Sequence, residues 1–557
     1  MNEPLAPRFR PREAVLVAVV AVLAFLPALR AGFVFDDWII LVQQPLIRAA
    51  DGLRRIWFTA EAPDYYPVLW TAWWLQWRLW AASPLGYHLV NLLLHAANCV
   101  ALLHVLRRLR IPGALFAVLL FAVHPVNVAT VAWVSEQKNT LSMLFFLATV
   151  LAYLNFEDAG GWQWYAVSLG CFAVSLLAKP GAVMWPVVLL GLAWRRRGHV
   201  EWRDFGRSLP FAVLSVAAGL AAIWFQAVRV LGGEPARTDG FWARLAGAGW
   251  AVWFYLYKAL VPLRLCMIYP RWDIRPTNPV VYLPLLLLVA AAVCCWLYRD
   301  SWGRDVLTGA GYYVVMLFPV LGFFNQGFYR YSFVADQWQY LPIIGVVVLI
   351  AVIGCRVFPS RRAVGAIVVI ALGVLSWRQS LLYANDETLW RDTVAKNPSA
   401  WLAQYNLGVI LAGQGQMDEA ISAYQQALRF KPDDVLAHIN LGAAYAQKRE
   451  LVSARAEFLQ AIALKPNNSD AHANLGMVDL DQGRTAEAVQ QFQAALRIES
   501  QPEPIHIALG LALGRLNRIE ESAAVFEEVL RNDPTNQFAA LALSQLPRRR
   551  AMPAQPK

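Results

Sequence analysis

Eleven apolar runs punctuate the first 385 residues, at 14–34, 86–106, 111–124, 140–156, 165–178, 181–194, 208–228, 278–298, 306–324, 340–357 and 363–380. Each is near the length at which a helix crosses a hydrocarbon core about 30 Å thick. The pattern therefore predicts an all-α membrane domain of about 11 spans at 1–385. Basic clusters mark every second joint: Arg8, Arg10 and Arg12; Arg107, Arg108 and Arg110; Arg195, Arg196 and Arg197; Arg299 and Arg304; Arg356, Arg361 and Arg362. Cytoplasmic loops are the ones enriched in Lys and Arg, and all five clusters share one side only with an odd count of eleven. That count places the N-terminus inside and everything beyond residue 385 outside. It also leaves the aromatic segment 241–263, with Arg244 and Lys258, as a helix lying at the outer interface or re-entering. The same is expected of 65–80, where Trp70, Trp73, Trp74, Trp77 and Trp80 recur at helical spacing.

From residue 386 the apolar runs stop and a different period begins. The triplet Asn-Leu-Gly recurs at 406–408, 440–442 and 474–476, a repeat of 34 residues, with Ala420, Ala454 and Ala488 and with Pro432 and Pro466 in register. This is the signature of tetratricopeptide repeats, paired helices that stack into an α-solenoid. The domain is expected at 386–547, with about four repeats, a degenerate leading helix at 388–398 and a disordered tail at 548–557. Asn406, Asn440 and Asn474 take equivalent places on successive inward helices, and an amide both donates to and accepts from an extended backbone. They are candidate peptide-binding residues. Bonding between neighbouring helices is the alternative.

Composition agrees with a membrane protein: 58% of residues are hydrophobic and only 16% charged. The net charge of +11 does not argue for nucleic acid, because the basic residues sit in short clusters between spans rather than in a patch. The six cysteines lie mostly within apolar runs and show no ligand spacing, so neither a disulfide framework nor a metal site is expected. Many later spans make the basic-then-apolar N-terminus an uncleaved signal-anchor rather than a cleaved signal peptide.

With the topology set, the polar residues at outer helix ends gather on one face. Asp36 and Asp37 follow the first run, His124 follows the third, and Glu136, Lys138 and Asn139 precede the fourth. Lys179 lies between the fifth and sixth, and Arg330 and Asp336 between the ninth and tenth. Ionisable groups at bilayer depth are costly and mark functional sites by default. Adjacent carboxylates at a greasy boundary suit a general base, whereas helix capping would account for one of them. The lysines suit phosphate, with snorkelling as the alternative. His88, Asn91, His95 and Asn98 share a face of the second run and are expected to form a polar packing seam.

The segments FDDW, YYPVLWTAWW, GYHLVNLLLHAAN, HPVNVATVAWVSEQKN, LLAKPGAV and RYSFVADQWQYLP, followed by the repeats, resemble in this order bacterial relatives of the transmembrane and tetratricopeptide repeat-containing O-mannosyltransferases. The family belongs to the GT-C glycosyltransferases. The resemblance implies a multi-pass inner-membrane enzyme that moves a sugar, mannose in the family, from a polyprenyl-phosphate donor to a hydroxyl acceptor such as Ser or Thr of an exported protein. It implies no cofactor. Catalysis would fall on Asp36 and Asp37, and His124, Glu136, Lys138 and Asp336 match the family as well; substrate contacts are expected at these four and, from their place on the same face, at Asn139, Lys179 and Arg330. Asn127 and Ala129 stand where the family often carries His and Glu, and Gln337 where it carries Arg or His. Two other readings stay open: a non-catalytic scaffold that anchors a peptide-binding solenoid, and a ligase or polymerase acting on lipid-linked glycan.

Overall fold

A computed structural model describes residues 10–357, 362–499 and 503–546, so the expected tail at 548–557, Arg8 and Arg361 lie outside the described residues. All regular structure among the described residues is helical. The chain divides into two compact units between Asn397 and Pro398.

In the first unit the eleven apolar runs all fold as helices, of unequal length. Six are long and apolar enough to cross a membrane: Pro11–Arg30, Pro84–Arg108, Val134–Ala159, Trp202–Val230, Pro279–Leu297 and Ala363–Tyr383. The protein is thus a multi-pass membrane protein. Trp162–Ala178 and Ile343–Val357 are shorter apolar helices. Trp185–Arg197 and Gly303–Leu317 have only 13 and 15 residues. At 1.5 Å per residue a 13-residue helix reaches about 20 Å, well short of a full hydrocarbon core.

The run at 111–124 continues past its expected end as a bent pair, Ala114–Ala122 and Pro125–Ala132, with a 49° break. Pro125 causes the break, because a residue before proline is pushed out of the helical region. His124 there is extended, with φ −74° and ψ 127°. The His124 side chain accepts from the Val126 amide, which the break would otherwise strand, and bonds through Nε2 to the Ala259 carbonyl of a distant helix at 2.9 Å.

The two segments expected at an interface both fold as helices outside the set long and apolar enough to cross, Pro67–Trp80 and Phe241–Leu260. In the second, the Arg244 guanidinium donates to the carbonyls of Arg237, Asp239, Gly322 and Phe323 and to Asn325. The Lys258 amine donates to the carbonyls of Leu263 and Arg264, closing the turn after the helix. Both cations hold backbone.

The polar seam on Pro84–Arg108 is fully buried and bonds neighbouring segments. His88 donates to Gly32, Asn91 to Thr130 and Val131, and Asn98 to Thr140, while His95 meets the Tyr340 hydroxyl and the Ala122 carbonyl. It fastens the loop after Pro11–Arg30 and the bent pair to one long helix.

Among the described residues the second unit holds four helix pairs: Trp401–Gly413 with Met417–Phe430, Val435–Gln447 with Leu451–Leu464, Ser469–Asp481 with Thr485–Ile498, and Glu503–Arg515 with Ile519–Asn532. A ninth helix, Gln537–Gln545, follows. The glycine of each repeat has a packing cause. A β-carbon at Gly408, Gly442, Gly476 or Gly510 would meet the ring of Tyr424, Phe458, Phe492 or Phe526 at 2.7 to 2.8 Å. Each first helix must lie against an aromatic of the second, and only glycine leaves room.

Candidate functional site

The first span ends at Arg30, and the chain then makes a loop whose direction is set by Phe35, a non-glycine residue at φ +55°. Asp36 and Asp37 follow that kink. Neither carboxylate caps the short helix Trp38–Val42 that comes next. Asp37 Oδ1 accepts from the Ser135 amide at 2.8 Å and the Ser135 hydroxyl at 2.6 Å, and Oδ2 accepts from the Val34 amide at 3.1 Å. Its side chain is wholly buried. Asp36 is only half buried, and Oδ1 accepts a single bond, from the Trp133 indole at 3.1 Å. Burial raises Asp36 above the usual carboxylate range, and the Lys138 charge pulls it partly back. Burial also raises Asp37, with the Asp36 charge adding to it.

A charged cluster faces this loop. Glu136, 3% exposed, pairs through Oε1 with the Lys138 amine at 3.0 Å and through Oε2 with the Lys179 amine at 3.6 Å. Asn139 donates to Glu136 Oε2 at 2.5 Å and accepts from the Lys179 amine at 2.7 Å. The Asn139 amide also donates to the Gln337 carbonyl at 3.3 Å, tying the cluster to the loop before Ile343–Val357. Lys179 terminates Trp162–Ala178, where Pro180 starts a new turn. Burial lowers the Lys179 amine to about 8, with the Glu136 charge opposing the shift and the Lys138 charge adding to it. Both lysines keep about a fifth of their side chains exposed, 21% and 18%.

Asp64 joins the cluster and was not among the sequence candidates. Its carboxylate, in the turn before Pro67–Trp80, accepts from the Gln226 amide at 2.7 Å. Burial raises its pKa, and the charges of Lys138 and Lys179 oppose that. Gln226 Oε1 accepts from the Gly327 amide, so the same side chain reaches the turn that carries Arg330. Arg330 itself donates to the Leu231 carbonyl at 3.1 Å and makes no ion pair with the cluster among the described residues.

Asp336 occupies a nest of its own. The Tyr269 hydroxyl lies 2.9 and 3.0 Å from its two oxygens. Burial pushes Asp336 up to about 7, against the Tyr269 hydrogen bond and the charges of Lys258 and Lys396. His124 has both ring nitrogens engaged and is 2% exposed, so its place is in the packing of the bent pair. Asn127 likewise donates inward, to the Phe121 carbonyl at 2.8 Å.

The structure thus brings together Asp36, Glu136, Lys138, Asn139 and Lys179, with Asp37 behind them. Trp133, Ser135 and Tyr269, which orient the carboxylates, were not predicted. Trp133 and Ser135 lie inside the quoted motif, and their partner is a loop nearly a hundred residues away. No group of three His, Cys, Asp or Glu side chains is set to hold a metal ion among the described residues.

In the second unit Asn406, Asn440 and Asn474 are half-buried on the first helices of successive pairs. The Asn440 amide donates to the Tyr405 hydroxyl at 3.1 Å, a bond between helices of neighbouring repeats. Asn406 and Asn474 make no side-chain hydrogen bond among the described residues.

These features define a multi-pass helical membrane protein that carries a tetratricopeptide repeat solenoid. Residues 410–448 match the family described as TPR repeat, and residues 439–504 and 473–537 the family described as Tetratricopeptide repeat. A protein O-mannosyl-transferase of Caenorhabditis elegans is 23% identical over 76% of this chain and 63% of its own length. Protein O-mannosyl-transferase TMTC4 of Mus musculus is 26% identical over 74% of this chain and 65% of its own length. The chain is a distant relative of these protein O-mannosyl-transferases, and it spans less than two thirds of their length. Among solved structures, YrrB, titled a TPR protein with an unusual peptide-binding site, is 20% identical, covering 32% of this chain and 92% of that one with a TM-score of 0.27. MamA from Desulfovibrio magneticus is 18% identical over 29% of this chain and 87% of that one, with a TM-score of 0.26.

Proposed function

We propose that this chain is a membrane glycosyltransferase that moves a sugar, mannose in the first instance, from a polyprenyl-phosphate donor to a hydroxyl acceptor. The observation that carries the reading is the unequal pair. Asp37 is buried under three donors, whereas Asp36 accepts one hydrogen bond among the described residues, keeps a minor part of its surface exposed and feels the Lys138 charge. Asp36 takes the acceptor proton while the hydroxyl oxygen forms a bond to the anomeric carbon. The bond from that carbon to the phosphate oxygen breaks, and its electron pair leaves with the lipid phosphate. Lys138 and Lys179, held together by Glu136 and Asn139, stabilise the leaving phosphate. Asp37 positions the loop.

The names of the relatives support the reaction class. The alternation of basic clusters supports an outward-facing site, with the repeats in the periplasm of an inner-membrane protein and presenting a Ser/Thr-containing peptide through Asn406, Asn440 and Asn474. An alkaline phosphatase fused near residue 390 is then active in cells, and activity of a cytoplasmic reporter there contradicts the orientation.

The test of function is purified full-length protein with polyprenyl-phosphate mannose and a Ser/Thr peptide. Mannosyl peptide and free polyprenyl phosphate appear in equal amounts if the reading holds. No consumption of any lipid-linked sugar contradicts it, and consumption of a lipid-linked oligosaccharide alone moves the chain to the ligase class.

A further inference from the structure

Phe35 stands in the left-handed region at φ +55°, immediately before Asp36. A bulky residue stays there only where its surroundings hold it, and such positions cluster at functional sites. What holds Phe35 is remote in sequence. Its amide donates to Asp386 Oδ1 at 2.7 Å, across 351 residues. Its ring meets Trp390 edge to face at 5.3 Å, and Trp390 is itself buried. Two residues ahead of Asp386, the Ala384 carbonyl accepts from the Gly32 amide at 3.0 Å, so both ends of the kinked loop are tied to one segment.

That segment is the helix Asp386–Lys396, started by Asn385, whose side chain accepts from the Thr388 amide. Its far end makes equally specific contacts. The Lys396 amine donates to the Leu265 carbonyl at 2.7 Å and the Asn397 amide to the Ile268 carbonyl at 3.0 Å. Those carbonyls belong to the loop whose Tyr269 holds Asp336. An eleven-residue helix, about 16 Å long, therefore bridges the acidic loop and the Asp336 nest.

We propose that Asp386–Lys396 is a strap that sets the geometry of the acidic loop, and that Asp386 is a positioning residue for Asp36. This rests on the reading of Asp36 as the acceptor base. A carbonyl or carboxylate oxygen at position 386 is what the Phe35 amide requires. Asparagine therefore serves there, and alanine does not.

The test uses the full chain in detergent or nanodiscs, and two readouts. In the native protein the Phe35 amide is protected from hydrogen exchange although it lies in a loop. In Asp386→Ala, exchange across residues 32–38 speeds about tenfold or more with the unfolding midpoint retained. Transfer from polyprenyl-phosphate mannose falls about tenfold to a hundredfold in kcat, with KM for the donor within about twofold. Asp386→Asn restores both readouts. An unprotected Phe35 amide in the native protein overturns the strap and needs no variant. Unchanged exchange in Asp386→Ala, or normal transfer despite faster exchange, overturns it as well. Asp36→Asn run beside these separates the two claims: transfer at the native rate in that variant removes the base itself, and the positioning role with it, whatever the exchange shows.

Discussion

Two buried polar assemblies lie in the membrane unit, and they are built differently. The seam on Pro84–Arg108 is neutral, and its side chains bond chiefly to the backbone of other elements. The cluster around Glu136 is charged, its members bond mainly to each other, and Lys138, Lys179 and Asp36 keep part of their surface free. A polar group bonded to backbone satisfies the fold. Charges that hold one another in place while part exposed are arranged for something that arrives.

The contrast breaks most sharply at Lys138. Replacing Lys138 with Ala is expected to lower kcat per folded molecule for sugar transfer about 100- to 1,000-fold, the usual cost of removing one group that stabilises a departing anion, and to lower stability as well because buried Glu136 loses a partner. A stability loss without a rate loss would place Lys138 with the seam.

The pH profile sharpens the same point. Asp36 must be ionised to act, and burial raises it, so the acid limb of kcat/KM lies above the usual carboxylate range. Lys179 must be charged, and burial lowers it to about 8, so the alkaline limb falls there. The profile is a bell whose sides each change about tenfold per pH unit. Lys179→Arg removes the alkaline limb, and a limb unmoved in that variant assigns it elsewhere.

Changes in the seam and in the solenoid act on stability instead. Asn98→Ala costs about 1 kcal/mol of membrane-unit stability, read by denaturant titration, with transfer per folded molecule retained. Gly476→Ala drives a methyl group to 2.7 Å from the Phe492 ring. Overpacking of this kind costs about 1 to 3 kcal/mol, offset by up to about 1 from the gain in helix propensity. The repeats are expected to unfold a few degrees earlier with the membrane unit unaffected, and an unchanged midpoint would mean the helices part freely.

The repeats were legible because their period repeats the evidence: Gly408, Gly442 and Gly476 each stand at the same point of contact. The aromatic partners sixteen residues on were visible too, but their pairing depends on how two helices lean together. The membrane helices were legible from apolar runs, whereas the 49° break at His124 lay beyond the reach of a hydrophobicity pattern, which continues through it. At the site, the acidic pair stood out as two adjacent charges after a span. Their division of labour did not, because neighbouring side chains point in different directions and only the fold decides which meets Ser135. Asp64 and Asp386 were passed over for the same reason: each looks like an ordinary turn or helix-start residue until a partner from a distant segment is placed beside it.

The most direct measurement is transfer from labelled polyprenyl-phosphate mannose by the native protein and by Asp36→Asn, at equal amounts of folded protein. Loss of a general base costs about 100- to 10,000-fold in rate, and the variant is expected to fold normally because the Asn oxygen can still accept from the Trp133 indole. A drop of that size at an unchanged unfolding midpoint is the predicted result. Transfer at the native rate by Asp36→Asn would contradict the account.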